Sequence, residues 1–295
     1  MGVFDMLRID TILAPVDFSE KSHAAAKRAV ELAMHFDASV LFLHVIPPPP
    51  TEYHMFAEGK PERIDAADQA MLRDRLEKFV GEVSMGVDCQ PLIEHGDPAH
   101  RIERAVLDRK ADLVVLPTHG HGLFRRLLVG SVTAKVLHDI QVPVLTGVHL
   151  EEGPAFRNGP YRRIACAVGL REREHSEKAL RWAADLARSW SSELHVIHVP
   201  PAIDWGAGEW FPDETQQLVR AASSERLTEL IDAVGYPATQ HVDGLEAIPY
   251  AVEVIERNEI DALVVGRSVS HGLLGGVGAN AFALIREAPC PVFSV

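Results

Sequence analysis

A single order of strand-like and helix-like segments runs through residues 1–150 and returns through 161–295, and this recurrence constrains the fold more than any other feature. Three landmarks come back in the same sequence. His44-Val45 answers to His198-Val199, each followed by proline. Asp112-Leu113-Val114-Val115 answers to Asp261-Ala262-Leu263-Val264-Val265, and Val142-Pro143-Val144-Leu145 to Cys290-Pro291-Val292-Phe293. One such match means little; three in the same order make internal duplication the reading. The stretch 151–160, rich in Gly, Pro and charge, separates the copies. At 295 residues the chain has room for two domains of this size.

In the first copy, apolar runs predict strands at 9–16, 39–46, 87–93, 112–116 and 142–146. Helices are predicted over 19–36, 61–79, 98–110 and 131–138, with Ser19 capping the first and Pro61 in the opening turn of the second. The second copy predicts strands at 163–168, 193–199, 238–242, 262–267 and 291–295, and helices at 174–190, 213–234, 247–257 and 279–287. Alternation of buried, β-branched strands with amphipathic helices defines an α/β class: two tandem, open, mostly parallel five-stranded sheets flanked by helices. The last strand of each copy carries a proline near its start, which suits a sheet edge.

Composition narrows the function. A formal net charge of -13 disfavours a nucleic-acid surface, because phosphate backbones demand concentrated Lys and Arg. No apolar stretch reaches the roughly 20 residues of a membrane span, and the start lacks a secretory signal, so a cytoplasmic location is the default expectation. The three cysteines, Cys89, Cys166 and Cys290, show neither metal spacing nor a CxxC pair and read as free, buried thiols.

Chemistry concentrates after the fourth strand. Residues 117–131 read Pro-Thr-His-Gly-His-Gly-Leu-Phe-Arg-Arg-Leu-Leu-Val-Gly-Ser, between a strand and a helix. In an open parallel sheet ligands bind beyond the carboxyl ends of the strands, and a helix start offers unpaired N–H groups to an anion. Gly120 and Gly122 allow close backbone approach, Gly130 removes a side chain where the loop meets the helix, and the Ser131 hydroxyl suits either a phosphate oxygen or an N-cap. His119, His121, Arg125 and Arg126 stand in the same segment as candidate phosphate contacts or plain surface residues. Asp17, at the end of the first strand, is the best polar candidate outside the loop; its alternative role is to cap the first helix. Asp97 before Pro98 suits ribose hydroxyls, magnesium or a helix start. The spacing is neither a Walker loop nor a dinucleotide fingerprint. An offset of 149 residues carries Pro117, Gly120, Gly130 and Ser131 onto Gly266, Val269, Ala279 and Asn280, while Gly169 stands near the position of Asp17. The folding pattern repeats and the polar site does not, although Asn280 retains the chemistry of a helix cap. Trp205 and Trp210, in the loop after the second copy's second strand, suit a pocket cover or local packing.

Taken together, residues 12–19 (Ile-Leu-Ala-Pro-Val-Asp-Phe-Ser), His44-Val45, Gly96-Asp97-Pro98, the 117–131 segment and Ala134-Lys135-Val136-Leu137-His138 before Val142-Pro143-Val144-Leu145 resemble the universal stress protein family in tandem form. The resemblance covers nearly all of the first copy and, more weakly, the whole of the second. It implies an adenine-nucleotide-binding, Rossmann-like fold, with ATP, accompanied by Mg2+, held in the first domain. Its nucleotide-binding branch carries Gly-x-x-Gly, nine residues, then Gly-Ser/Thr; here Pro117 replaces the first glycine and Gly120, Gly130 and Ser131 match. Those three imply phosphate contacts, Asp17 a place near the nucleoside, and Val45 a place against the base.

The expected function is a stress-related regulatory protein that binds an adenine nucleotide. The alternative is a nucleotide-independent structural or protein-interaction module, favoured by Pro117 and the eroded second loop. No residue stands out as a general base with its own orienting partner, so slow ATP hydrolysis is the most that enzymatic activity would amount to. A monomer and a homodimer are both compatible with the sequence, and it identifies no protein partner.

Overall fold

In the computed structural model residues 7–48, 66–117, 130–146, 161–170, 173–200, 213–244, 246–267 and 279–295 are described. They divide into two compact units, Arg8–Val144 and Leu145–Val295. The first half runs β1 (Thr11–Pro15), α1 (Glu20–Phe36), β2 (Ser39–Ile46), α2 (Ala66–Val83), β3 (Cys89–His95), α3 (Pro98–Arg109), β4 (Leu113–Val115), α4 (Ser131–Asp139) and β5 (Val144–Thr146). The second runs β6 (Arg163–Ala167), α5 (Arg173–Trp190), β7 (Glu193–His198), α6 (Asp213–Val234), β8 (Ala238–Val242), α7 (Ala247–Arg257), β9 (Ala262–Val265), α8 (Ala279–Glu287) and β10 (Val292–Ser294).

Strand order is β3-β2-β1-β4-β5 in the first half and β10-β9-β6-β7-β8 in the second. β1 pairs in parallel with both β2 and β4, and β6 with both β7 and β9. In each half the chain therefore steps outward from its first strand and then crosses to the other side of it. That reversal is a topological switch point, and it opens a crevice beyond the carboxyl ends of β1 and β4, and again of β6 and β9. Ile12, Leu13, Val40, Phe42, Leu43 and Leu113 to Val115 are fully enclosed, as expected of a sheet covered on both faces. Ala25, Ala29, Leu32 and Ala33 form the inner stripe of α1, small enough to bring that helix close to the strands.

The two halves repeat hydrogen bonds as well as elements. Asp112 Oδ2 accepts from the N–H groups of Asp10 and Thr11, and Asp261 Oδ2 from those of Arg162 and Arg163. His44 Nδ1 meets Val16 O at 2.9 Å, and His198 Nδ1 meets Val168 O at 3.0 Å. Val114 N–H donates to Pro143 O as Leu263 N–H donates to Pro291 O. The prolines lie just outside β5 and β10, which begin one residue later, because a residue without a donor serves there only through its carbonyl.

Some boundaries move from those the sequence predicts. β3 starts at Cys89 rather than 87 and runs to His95, since its pairing with β2 from Val40 to Ile46 sets its limits. α2 continues past Phe79 because Leu76, Phe79, Val80 and Val83 extend the buried series; the predicted start at 61–65 lies outside the described residues. No helix among the described residues is long and apolar enough to cross a membrane. All three cysteines are free: burial pushes the Cys290 thiol up to about 12 and Cys166 higher still. Cys89 is only half-buried, and desolvation, then Asp88, raise it to about 11.

Candidate functional site

Of the residues singled out in the first half, Asp17, Val45, Gly130 and Ser131 are described. Gly120 lies outside the described residues, as do His119, His121, Gly122, Arg125 and Arg126. The chain leaves β1 through Val16 and Asp17, then turns sharply at Phe18, whose φ of 62° is unusual for a bulky residue. Three aromatic or cationic neighbours hold that turn: the His44 ring at 4.6 Å, the Phe79 ring at 5.9 Å and the Arg75 guanidinium at 4.1 Å.

Asp17 does not cap α1. Ser19 does, accepting from Ser22 N–H at 3.1 Å, and the Asp17 carboxylate stands one step behind it. Asp17 Oδ1 takes the Ser19 N–H at 3.0 Å and the Ser19 hydroxyl at 2.5 Å. Ser22 Oγ closes the ring, donating to Ser19 O and accepting from Asp17 N–H. The acid is thus oriented before any ligand arrives. Nothing in the residue types announced this ring; the Ser-x-x-Ser spacing after Asp17 was the available signal.

The helix beyond β4 is built differently. Gly130 is its N-cap, with φ -56° and ψ 147°, and provides no side-chain cap. Ser131 is the first helical residue, so the simple N-cap role does not fall to it. Helix geometry leaves the N–H groups of the first turn without intrahelical partners. Thr133 Oγ1 donates to Pro117 O at 2.9 Å, which ties this helix start to the exit of β4. Proline lacks an N–H, but its carbonyl fixes the position of α4. Val45 lies near the end of β2, half-buried and in register with Glu94.

Asp97 resolves toward its structural role. It caps α3, Oδ1 accepting from His100 N–H at 2.9 Å and from Lys135 Nζ at 3.1 Å. The His100 bond first, and Lys135 second, hold its carboxyl below the usual carboxylate range. A depressed folded pKa contributes stability above the unfolded value, and that contribution is lost as pH falls through the folded one. Asp97→Ala is therefore expected to cost about 1 kcal/mol at neutral pH. Urea unfolding at neutral and acidic pH should show the difference from the native chain shrinking once the pH drops below the ordinary carboxylate range.

At the corresponding place in the second half a cavity of about 340 Å³ opens beyond β6, β7 and β9, bounded by α5, α7 and α8. Gly169 stands where the first half has Asp17, and the Ser176 hydroxyl donates to its carbonyl. Asn280 is the second residue of α8, not its cap, and lines the cavity. Trp205 and Trp210 lie outside the described residues. Among the described residues, no group of three His, Cys, Asp or Glu could hold a metal ion.

A parallel α/β unit with a switch-point crevice, made twice in one chain, is the class these elements define. The model of the universal stress protein family matches residues 8–146 and again 160–295, and the chain belongs to that family. A universal stress protein of Methanocaldococcus jannaschii is 33% identical over 135 residues, covering 45% of this chain and 79% of that protein. One from Mycolicibacterium smegmatis is 28% identical and aligns over 96% of both chains. The crystal structure of a universal stress protein from Archaeoglobus fulgidus superimposes with a TM-score of 0.70 at 20% identity, over 97% of this chain and 96% of the other, and so shares the fold.

Proposed function

We propose that this family member binds an adenine nucleotide, ATP in the first instance, in its first half, and that occupancy regulates its interactions. The observation that carries the reading is the start of α4: a glycine N-cap with no side chain, tied to the exit of β4 at the switch point. The first-turn N–H groups, which have no partner within the helix, and the dipole end suit phosphate. Ser131 adds a hydroxyl donor, and Asp17, held by Ser19, suits a ribose hydroxyl. In this reading Val45 borders the base, Gly120 contributes a further backbone contact, and Mg2+ enters with the nucleotide on its phosphate oxygens.

Gly130→Asp tests the site. The φ and ψ of Gly130 suit aspartate, which is a good N-cap, so the helix should gain a few tenths of a kcal/mol. The new carboxylate would occupy the N–H groups and repel phosphate, and titration calorimetry with MgATP should show affinity falling at least about tenfold. Asp17→Ala should weaken binding by about tenfold through loss of a charge-assisted contact. ATP binding as tight in Gly130→Asp as in the native chain would remove the phosphate site from α4. The missing N–H at Pro117 favours one other reading, a nucleotide-independent interaction module, and absence of any ATP binding by the native chain would support it.

A further inference from the structure

β7 and β8 carry two histidines that packing alone does not call for. His195 Nδ1 lies 2.9 Å from His241 Nε2, and the rings stack at 5.2 Å with their planes 10° apart. His195 is 6% exposed and His241 is half-buried. Gln240 bonds to Ser224 and Thr228 of α6, so His241, the next residue of the strand, turns to the opposite face. β8 pairs with β7 as β3 pairs with β2: Leu194 meets Ala238 where Val40 meets Cys89. That register puts Leu41 and Leu92 of the first half where the second has His195 and His241. The duplicated sheet is therefore built just as well on two leucines.

A hydrogen bond between two imidazoles needs one N–H and one bare nitrogen. If His195 donates, a first added proton goes to His195 Nε2; if His241 donates, it goes to His241 Nδ1. The bond survives that proton in either case. A second proton must go to the bare nitrogen inside the contact, setting N–H against N–H and two positive rings face to face. The touching pair thus holds at most one added proton, whereas separated rings hold two. Among the described residues, the charged groups acting on the pair are Glu193 of β7, Arg163 of β6 and Arg257 at the end of α7. Glu193 Oε2 is 3.9 Å from His195 Nε2, too far for a hydrogen bond, and is shared with Arg163 at 3.4 Å. Arg163 also reaches Glu259 at 2.8 Å, and Arg257 meets Glu253 at 3.9 Å. Burial first, then His195 and Arg257, push the His241 pKa down. Burial outweighs Glu193 and pushes His195 down as well. Folded pKa values lowered in this way contribute stability that is complete above the unfolded value, near about 6.5, and is lost as the pH falls below it.

We propose that His195 and His241 form an acid-operated latch: their contact holds the edge strand β8 to β7 at neutral pH, and in acid a second proton parts the rings and frees that strand. β8 ends the strand order of the second half and pairs there with β7, so it can leave without breaking the other pairings. The half-buried His241 is the ring that swings into solvent. This latch stands whether or not the first half binds a nucleotide.

Amide hydrogen exchange of the full chain at about pH 7.5 and about pH 5.5, corrected for intrinsic exchange rates, tests it. An opening that takes up one extra proton becomes about tenfold more favourable for each pH unit below the histidine range. The β8 amides should therefore lose at least about tenfold of their protection in acid, while those of β6 and β9 keep theirs. His241→Gln leaves His195 Nδ1 a side-chain partner and removes one titrating ring, so its acid response should be about tenfold smaller than that of the native chain. The double variant His195→Leu with His241→Leu copies the first half and should abolish the response. Ring-nitrogen spectra of the native chain supply a second readout: both rings should become fully protonated only where β8 has lost its protection. Unchanged β8 protection in acid, an equal loss in β6 and β9, a native response in either variant, or two fully protonated rings beneath a still-protected β8 would each overturn the proposal.

Discussion

Phe293→Ala is expected to lower the stability of the second half by about 4 kcal/mol, within the range for deleting a buried aromatic ring. Phe293 is fully enclosed on β10, where its ring meets Trp182 at 5.0 Å and the edge of Tyr161 at 6.0 Å. Tyr161 in turn packs against Trp190 at 4.5 Å. Removing the phenyl ring takes one member from an aromatic cluster and leaves a cavity that stiff neighbours collapse into poorly. Phe293→Leu preserves much of the volume and should cost nearer 1.5 kcal/mol. All four tryptophans of the chain, Trp182, Trp190, Trp205 and Trp210, lie in the second half, so tryptophan fluorescence reports on that half alone. A shift of roughly 10 °C in the thermal midpoint seen by fluorescence is the expected result. A shift under about 2 °C would mean that the cluster contributes little.

The duplication that predicted two parallel sheets was legible because its landmarks are local: a histidine at a strand end, an acid before an apolar run, a proline before a last strand. β2, at residues 39–46, was read with its observed limits, since a strand buried on both faces is a continuous apolar run. β3 was not, because its limits follow from pairing with β2 rather than from its own composition. At the site, Asp17 stood out as an acid ending a strand, and Gly130 as a glycine before a helix. Their surroundings did not. The tie from Thr133 to Pro117 spans 16 residues, and the bond from His198 to Val168 spans 30. Such contacts are set by how a parallel crossover returns to its sheet, which no short window of sequence contains. Ser131 and Asn280 show a smaller failure of the same kind: residue type suggested caps, but each stands inside its helix.

The acids in the repeated landmarks should matter more than their half-buried setting suggests. Asp112 Oδ2 accepts at 2.8 and 2.9 Å from two consecutive N–H groups where the chain enters β1, and Asp261 Oδ2 does so at 2.7 and 2.9 Å where it enters β6. The same residues return a bond through their own N–H groups, to Thr11 O and Arg163 O. Each acid therefore joins the first strand of its half to the turn before the strand that lies across the switch point. Alanine removes a charged acceptor and strips two backbone donors at once, for an expected loss of about 3 kcal/mol in either half. Asparagine separates charge from geometry. Both N–H groups converge on one oxygen, so an amide oxygen in that place keeps both bonds and gives up only their charge assistance, for about 1 kcal/mol. Urea unfolding followed by tryptophan fluorescence reads Asp261→Ala and Asp261→Asn, and circular dichroism reads the Asp112 pair. Equal losses for alanine and asparagine would assign the effect to charge alone. The predicted gap between them identifies a clamp that duplication copied intact, in the same molecule where the carboxylate of the first crevice gave way to Gly169 in the second.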